Sequence, residues 1–250
     1  MKLVTFHTGR PVASRLGVLL DDGSALDLSA TEEPRLASML ALIEAGPAGL
    51  AAAARARSQG AHRLLPGAFK LRAPIPLPPQ IRDAMCFHKH IRQSQIAQVR
   101  RRARESGDAA RLADAERFAA NYQLPEVYLR QPTYYKSNRF AVGDPESEVV
   151  WPSYSKVMDF ELELASVIAR RGKDIAKADA HGHIFGFMIF NDFSARDAQS
   201  AEMDGRLGPA KGKDFDNANI FGPCLVTADE IGDPYALRMT AKVNGQTVCE

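Results

Sequence analysis

The chain opens on short apolar runs set between polar turn residues, a pattern that predicts strands before it predicts anything else. Residues 2–6 and 15–20 read as strands, Asp21-Asp22-Gly23 as a hairpin turn and residues 25–28 as the returning strand. Helices are predicted over residues 34–45 and 48–59, separated by Gly46-Pro47. Pro74, Pro76, Pro78 and Pro79 then form an extended linker, so residues 1–72 read as a small N-terminal domain and 80–250 as the main one. The stretch 81–90 reads as a short strand running into the pair His88 and His90, followed by a charged helical insertion over about 91–122, placed to serve as a lid. Further on, residues 159–168 are strand-like, 184–190 form a buried apolar run, and Asn244-Gly245 marks a type I′ hairpin turn.

The strand at 159–168 carries charge where a buried sheet should carry valines. Side chains alternate across a strand, so Glu161 and Glu163 share one face while Leu162, Leu164 and Ile168 share the other. Two ionised carboxylates about 4–5 Å apart repel by about 3–4 kcal/mol at an effective dielectric near 20. Either that face is wet or something positive binds there. Asp192, at the end of the 184–190 run, has a similar setting.

Composition changes this picture little. The chain has 250 residues, 45% hydrophobic and 25% charged, which suits a sizeable globular core. A net charge of +2 gives no reason to expect nucleic acid or an anionic membrane as partner. With no apolar run of 18 residues and no signal-peptide pattern, a soluble, cytoplasmic protein is expected. Cys86, Cys224 and Cys249 are too widely spaced for a disulfide framework or a C-x-x-C metal site.

His88 and His90 on a strand would share a face and suit zinc, but they lack a third ligand close by. Arg100-Arg101-Arg102 is diluted by Glu105, Asp108, Asp114 and Glu116, as on a solvated helix. Ser194 followed by Asp197 resembles a capping box, with Arg196 and Gln199 on one helical face. The glycine-rich segment 205–215 fails as a phosphate loop, since Leu207 and Asp214 stand at required positions, and reads as a loop presenting Lys213. A chain closing on the second arm of a hairpin leaves a sheet edge uncovered, which points to a missing C-terminal segment.

From Asp83 onward, the succession D-F-E-L-E-L-A, N-D-F-S-A-R-D-A-Q and L-G-P-A-K-G-K-D-F resembles the fumarylacetoacetate hydrolase family. That resemblance implies an α+β, mainly β fold, with a rolled mixed-sheet catalytic domain, a small N-terminal α/β domain and usually a homodimer. It implies metal ligation by Glu161, Glu163, Asp192 and Asp83, a base at His90 and an oxyanion-stabilising Lys213. Substrate binding falls to Tyr135, Arg196 and Gln199. Gln93 stands where one branch has an acid, and the acid partner and Gly-Thr loop of the type enzyme would lie beyond Glu250.

An all-carboxylate site favours a hard cation, Mg²⁺ first, with Mn²⁺ or Ca²⁺ also suited. The expected reaction is hydrolysis of a C–C bond in an acylpyruvate or β-diketo acid, with a water activated by His90 and a metal-bound enolate leaving group. Arg196 suits a substrate carboxylate, although it could equally pair a neighbouring acid. Decarboxylation, tautomerisation or hydration of a 2-oxo acid on the same core is the alternative. A non-catalytic metal or ligand binder is a further one.

Overall fold

The computed structural model describes residues 1–9, 13–60, 62–205 and 207–249. Arg206, in the glycine-rich loop, lies outside them. The chain divides into two compact units, one built from Met1–Pro79 with Asn138–Glu250 and the other from Gln80–Ser137.

The first unit begins with β1 (Lys2–His7), β2 (Arg15–Leu19) and β3 (Ala25–Asp27), an antiparallel meander. Leu3, Val4 and Phe6 are fully buried, so β1 is covered on both faces, and Thr5 satisfies its hydroxyl by donating to the Pro74 carbonyl at 2.6 Å. Helix α1 (Met39–Gln59) starts at Ser38, whose side chain accepts from the Ala41 N–H, and buries Met39, Leu42, Ile43, Ala52 and Ala53. The break expected at Gly46-Pro47 is a kink inside one element, with Gly46 at φ 56°. Strands β4 (Arg63–Leu64) and β5 (Lys70–Arg72) complete this part, pairing with β3 and β1 respectively.

The second unit contains β6 (Ile81–Met85), α2 (His88–Ser106), α3 (Ala109–Asn121), α4 (Glu126–Arg130) and β7 (Thr133–Ser137). Strands β6 and β7 form their own antiparallel pair. The expected single helical insertion is two helices, because Gly107 ends α2 in the left-handed conformation and Asp108 caps α3 by accepting from the Ala110 N–H.

The chain returns to the first unit with β8 (Val142–Gly143), β9 (Met158–Asp159), β10 (Leu162–Ile168), β11 (Ile184–Asp192), β12 (Ser194–Ala195), α5 (Arg196–Asp204), β13 (Asn219–Thr227), α6 (Ala228–Ile231), β14 (Ala241–Val243) and β15 (Gln246–Cys249). The main sheet runs β10-β11-β13-β1-β2-β3-β4, with β5 added at β1 and β8 at β13. It is mixed, β8 and β13 being parallel and the other pairs antiparallel. Leu3 pairs with Leu225, which ties the first strand to β13. The boundary drawn at the proline linker therefore differs from the division in the structure: residues 1–79 share a sheet with 138–250. A proline run marks an extended segment but says nothing of which strands pair across it. At the far end, Asn244 (φ 50°) and Gly245 (φ 81°) make the expected type I′ turn between β14 and β15.

Candidate active site

Strand pairing brings the acids together. Glu163 on β10 pairs with Phe190 on β11, and two residues on β11 ends in Asp192. Just before β10, the Glu161 carbonyl accepts from the Asp192 N–H at 3.3 Å, so the two acids are fastened through the backbone. One carboxylate oxygen from each of Glu161, Glu163 and Asp192 lies within 4.8 Å of the others. The alternation read from the sequence holds, but it is the glutamate side that faces inward. Leu164 and Ile189, directly opposite each other, are both exposed, as is Ile168.

The positive group that such a face requires is part of the protein. Lys213 is 1% exposed and donates from Nζ to Asp192 Oδ2 at 2.5 Å and to Glu161 Oε1 at 2.7 Å. Glu161 Oε1 also accepts from Arg196 at 2.7 Å and from the Ser194 hydroxyl at 3.0 Å. Burial by itself pushes the Glu161 carboxyl up, but the Lys213 charge, the contact with Glu163 and Arg196 together outweigh it and hold it at about 2. Burial likewise opposes the charge on Lys213, while Asp192 and Glu161 raise its ammonium above the ordinary lysine value.

Arg196 is held from three sides. Its Nε donates to Asp159 at 2.6 Å, and its terminal nitrogen is shared between Glu161 and the Gln199 side-chain oxygen at 3.0 Å. Asp197 instead accepts from the Ser155 hydroxyl, at 2.5 Å, and from the Lys156 N–H. The capping-box expectation at Ser194 gives way to a different geometry. Ser194 lies in β12, paired with Asp159 of β9, and turns its hydroxyl onto Glu161, while α5 begins at Arg196 with Ala195 in the capping position and no side-chain cap.

The loop bearing Lys213 rests on a small core of Ala195, Phe215 and Ala218, with Trp151 edge-on to Phe215 at 5.7 Å. Gly212 has no room for a side chain, since a Cβ there would sit 2.7 Å from the Gln199 Cα. The Glu202 carboxylate accepts from three successive backbone N–H groups, those of Ala210, Lys211 and Gly212. Burial acts to raise the Glu202 carboxyl, and these three donors prevail and lower it.

The remaining sequence-predicted residues lie in the second unit. Asp83 of β6 stands directly opposite Tyr135 of β7, and both are half-buried. His90 is exposed in the first turn of α2. The zinc reading of His88 and His90 required both on a strand. The strand ends at Met85 and a helix begins at His88, so a spacing of two puts them on different faces, and His88 Nε2 meets the Tyr128 carbonyl at 3.1 Å.

The donor chemistry of the first unit fits a hard divalent cation. Asp159, Glu161, Glu163 and Asp192 supply four negative charges when ionised against the two positive charges of Arg196 and Lys213, a surplus of two. All the candidate ligand atoms are oxygens, as Mg²⁺ or Mn²⁺ prefers. Glu161 Oε1 serves three donors, so this carboxylate stays anionic beside its neighbours.

A family model described as the fumarylacetoacetate (FAA) hydrolase C-terminal region matches residues 81–250. The oxaloacetate tautomerase fahd2, mitochondrial, of Xenopus laevis is 29% identical over 249 residues, covering 99% of this chain and 68% of that protein. The oxaloacetate tautomerase YisK of Bacillus subtilis is also 29% identical, covering 92% of this chain and 72% of its own length. Among solved structures, the maleylpyruvate hydrolase of Sphingobium sp. SYK-6 in complex with manganese(II) and pyruvate superposes with a TM-score of 0.67 at 23% identity, covering 99% of this chain and 75% of that one.

Proposed function

The chain belongs to the fumarylacetoacetate hydrolase family, and from that premise we propose that it is a divalent-metal-dependent enzyme of 2-oxo acids that hydrolyses a C–C bond in an acylpyruvate. The observation that carries this reading is the Lys213 ammonium held between Glu161 and Asp192, with Glu163 beside them. Glu161, Glu163 and Asp192 would hold the cation, Mg²⁺ or Mn²⁺. When bound, it would polarise a substrate carbonyl.

Lys213 supplies a fixed positive charge for the oxygen on which negative charge develops, and burial strengthens that effect. It needs no reorganisation to do so. Arg196 and Gln199 are given to the substrate carboxylate, which in this reading competes with Asp159 for the guanidinium fork. Asp83 as a fourth metal ligand, Tyr135 as a substrate contact and His90 as the base that takes a proton from water enter through the family motif, as does a homodimer.

A second reading, tautomerisation of oxaloacetate, is favoured by the two relatives of that name, one of them aligned with 99% of this chain. It uses the same charges to move a proton between carbon and oxygen without breaking a C–C bond. Protein stripped by a chelator and resupplied with Mg²⁺ or Mn²⁺ separates the two. Acetylpyruvate giving acetate and pyruvate supports hydrolysis. Faster keto–enol exchange of oxaloacetate with both substrates left intact supports the second reading, and inactivity towards both with either metal would end both.

A further inference from the structure

Lys213 is buried, charged and carried on a loop, a combination that needs an external fastening. Part of that fastening is neutral. The Gly212 carbonyl accepts from the Ala195 N–H at 2.9 Å, the Tyr154 hydroxyl donates to the Lys211 carbonyl at 2.6 Å, and Gly212 lies flat against Gln199. The charged part is Glu202. Its Oε1 accepts from the Lys211 N–H at 2.6 Å, and its Oε2 accepts from the Ala210 and Gly212 N–H groups at 3.0 and 3.1 Å. Successive N–H groups turned to one point form a concave receptor for an anion. Here a side chain from the neighbouring helix fills it, and the next residue along the loop is the lysine. Gln199 and Glu202 lie three apart on α5, so a single helical face supplies both the flat support and the anion.

We propose that Glu202 is a positioning residue, whose carboxylate occupies the backbone anion receptor at 210–212 and thereby sets the Lys213 ammonium between Glu161 and Asp192. Glu202 touches none of the three carboxylates in the described contacts; it acts through the loop. A receptor made of backbone accepts any small anion of suitable shape, so a lost side chain can be replaced from solution. The effect on turnover rests on the function proposed above, whereas the effect on the loop and on Lys213 does not.

The experiment uses the full chain with Glu202→Ala, and Glu202→Gln as a second variant that keeps the shape but loses the charge and one acceptor oxygen. Amide exchange at Ala210, Lys211 and Gly212, and the slowly exchanging ¹⁵N ammonium signal of Lys213, report the loop without reference to any substrate. The Glu202→Ala change is expected to speed exchange at these three amides by about tenfold and to broaden the ammonium signal, while β11 is unaffected. Formate restores both saturably, and formamide, neutral and of similar size, does not. Turnover of whichever oxo acid the parent accepts falls by about a hundredfold with little change in KM, and recovers along the same formate curve. Glu202→Gln shows the loss without the rescue. Unchanged exchange in Glu202→Ala, or a loss that formate leaves uncorrected, overturns the proposal. So does recovery of the amides without the Lys213 signal. A parent protein inactive on every oxo acid, but with formate-dependent protection intact, removes the functional reading and leaves the anion receptor standing.

Discussion

Two regions of the molecule pair carboxylates with cations at nearly the same distances. Between α2 and α3, Arg100 meets Glu116 at 2.9 Å, with 39% and 62% of the two side chains exposed. Lys213 meets Glu161 and Asp192 at 2.7 and 2.5 Å with 1%, 19% and 0% exposed. Water competes for every charge of the first pair and for almost none of the second. The helical pair is a surface feature worth little whether made or broken. In the buried set each charge is kept only by its neighbours, because removing one partner strands the other where nothing can solvate it. Distance alone therefore says little about an ion pair; the cost of desolvation decides what it is for.

The widest gap between the regions is expected from Lys213→Met, which leaves two buried carboxylates facing each other. In chelator-treated protein it should cost about 3–5 kcal/mol in urea unfolding, with Mn²⁺ restoring part of the loss. A cost no larger than that of an exposed pair would mean that water reaches the charges around Lys213. The next largest effect is a pH dependence at Glu161. Its carboxyl is held at about 2 against an ordinary value of 4.5, so its contribution is fully present above pH 4.5 and is lost as pH falls through 2. The stability difference between the parent and Glu161→Gln should therefore shrink by about 3 kcal/mol across that window, read from thermal or urea unfolding at each pH. Smallest is Glu116→Ala, expected to leave the urea midpoint nearly where it was, and closer still in high salt. A larger, salt-insensitive change would mean that the helical pair is buried by something else.

Much of the scaffold is legible in the sequence where local chemistry decides it. Asn244-Gly245 can hardly be anything but a tight turn, and Gly46-Pro47 marks a kink because each residue disfavours an undisturbed helix. The acids and Lys213 are legible as well, through three motifs in order. Their supports are less so. Alternation at 161–168 shows which residues share a face but not which face turns inward, since that depends on what packs there. Ser194 has a capping spacing, yet its hydroxyl serves Glu161, a residue 33 positions earlier. Glu202 leaves no signal at all: its partners are backbone N–H groups, which every non-proline residue owns. The place of residues 1–79 is illegible for the same reason, because main-chain pairing across more than 200 positions has no side-chain signature.

That pairing has a temporal consequence. Leu3 is matched to Leu225, and the strand it joins also seats the end of β11, where Asp192 stands opposite Asn219. A ribosome making this chain displays the opening meander long before it releases its partner strand. Contacts so distant along the polymer are slow to close. The carboxylate cluster therefore matures only after Asn219–Thr227 has emerged, and an emerging polypeptide carries its glutamates for some time before the strand that steadies them arrives.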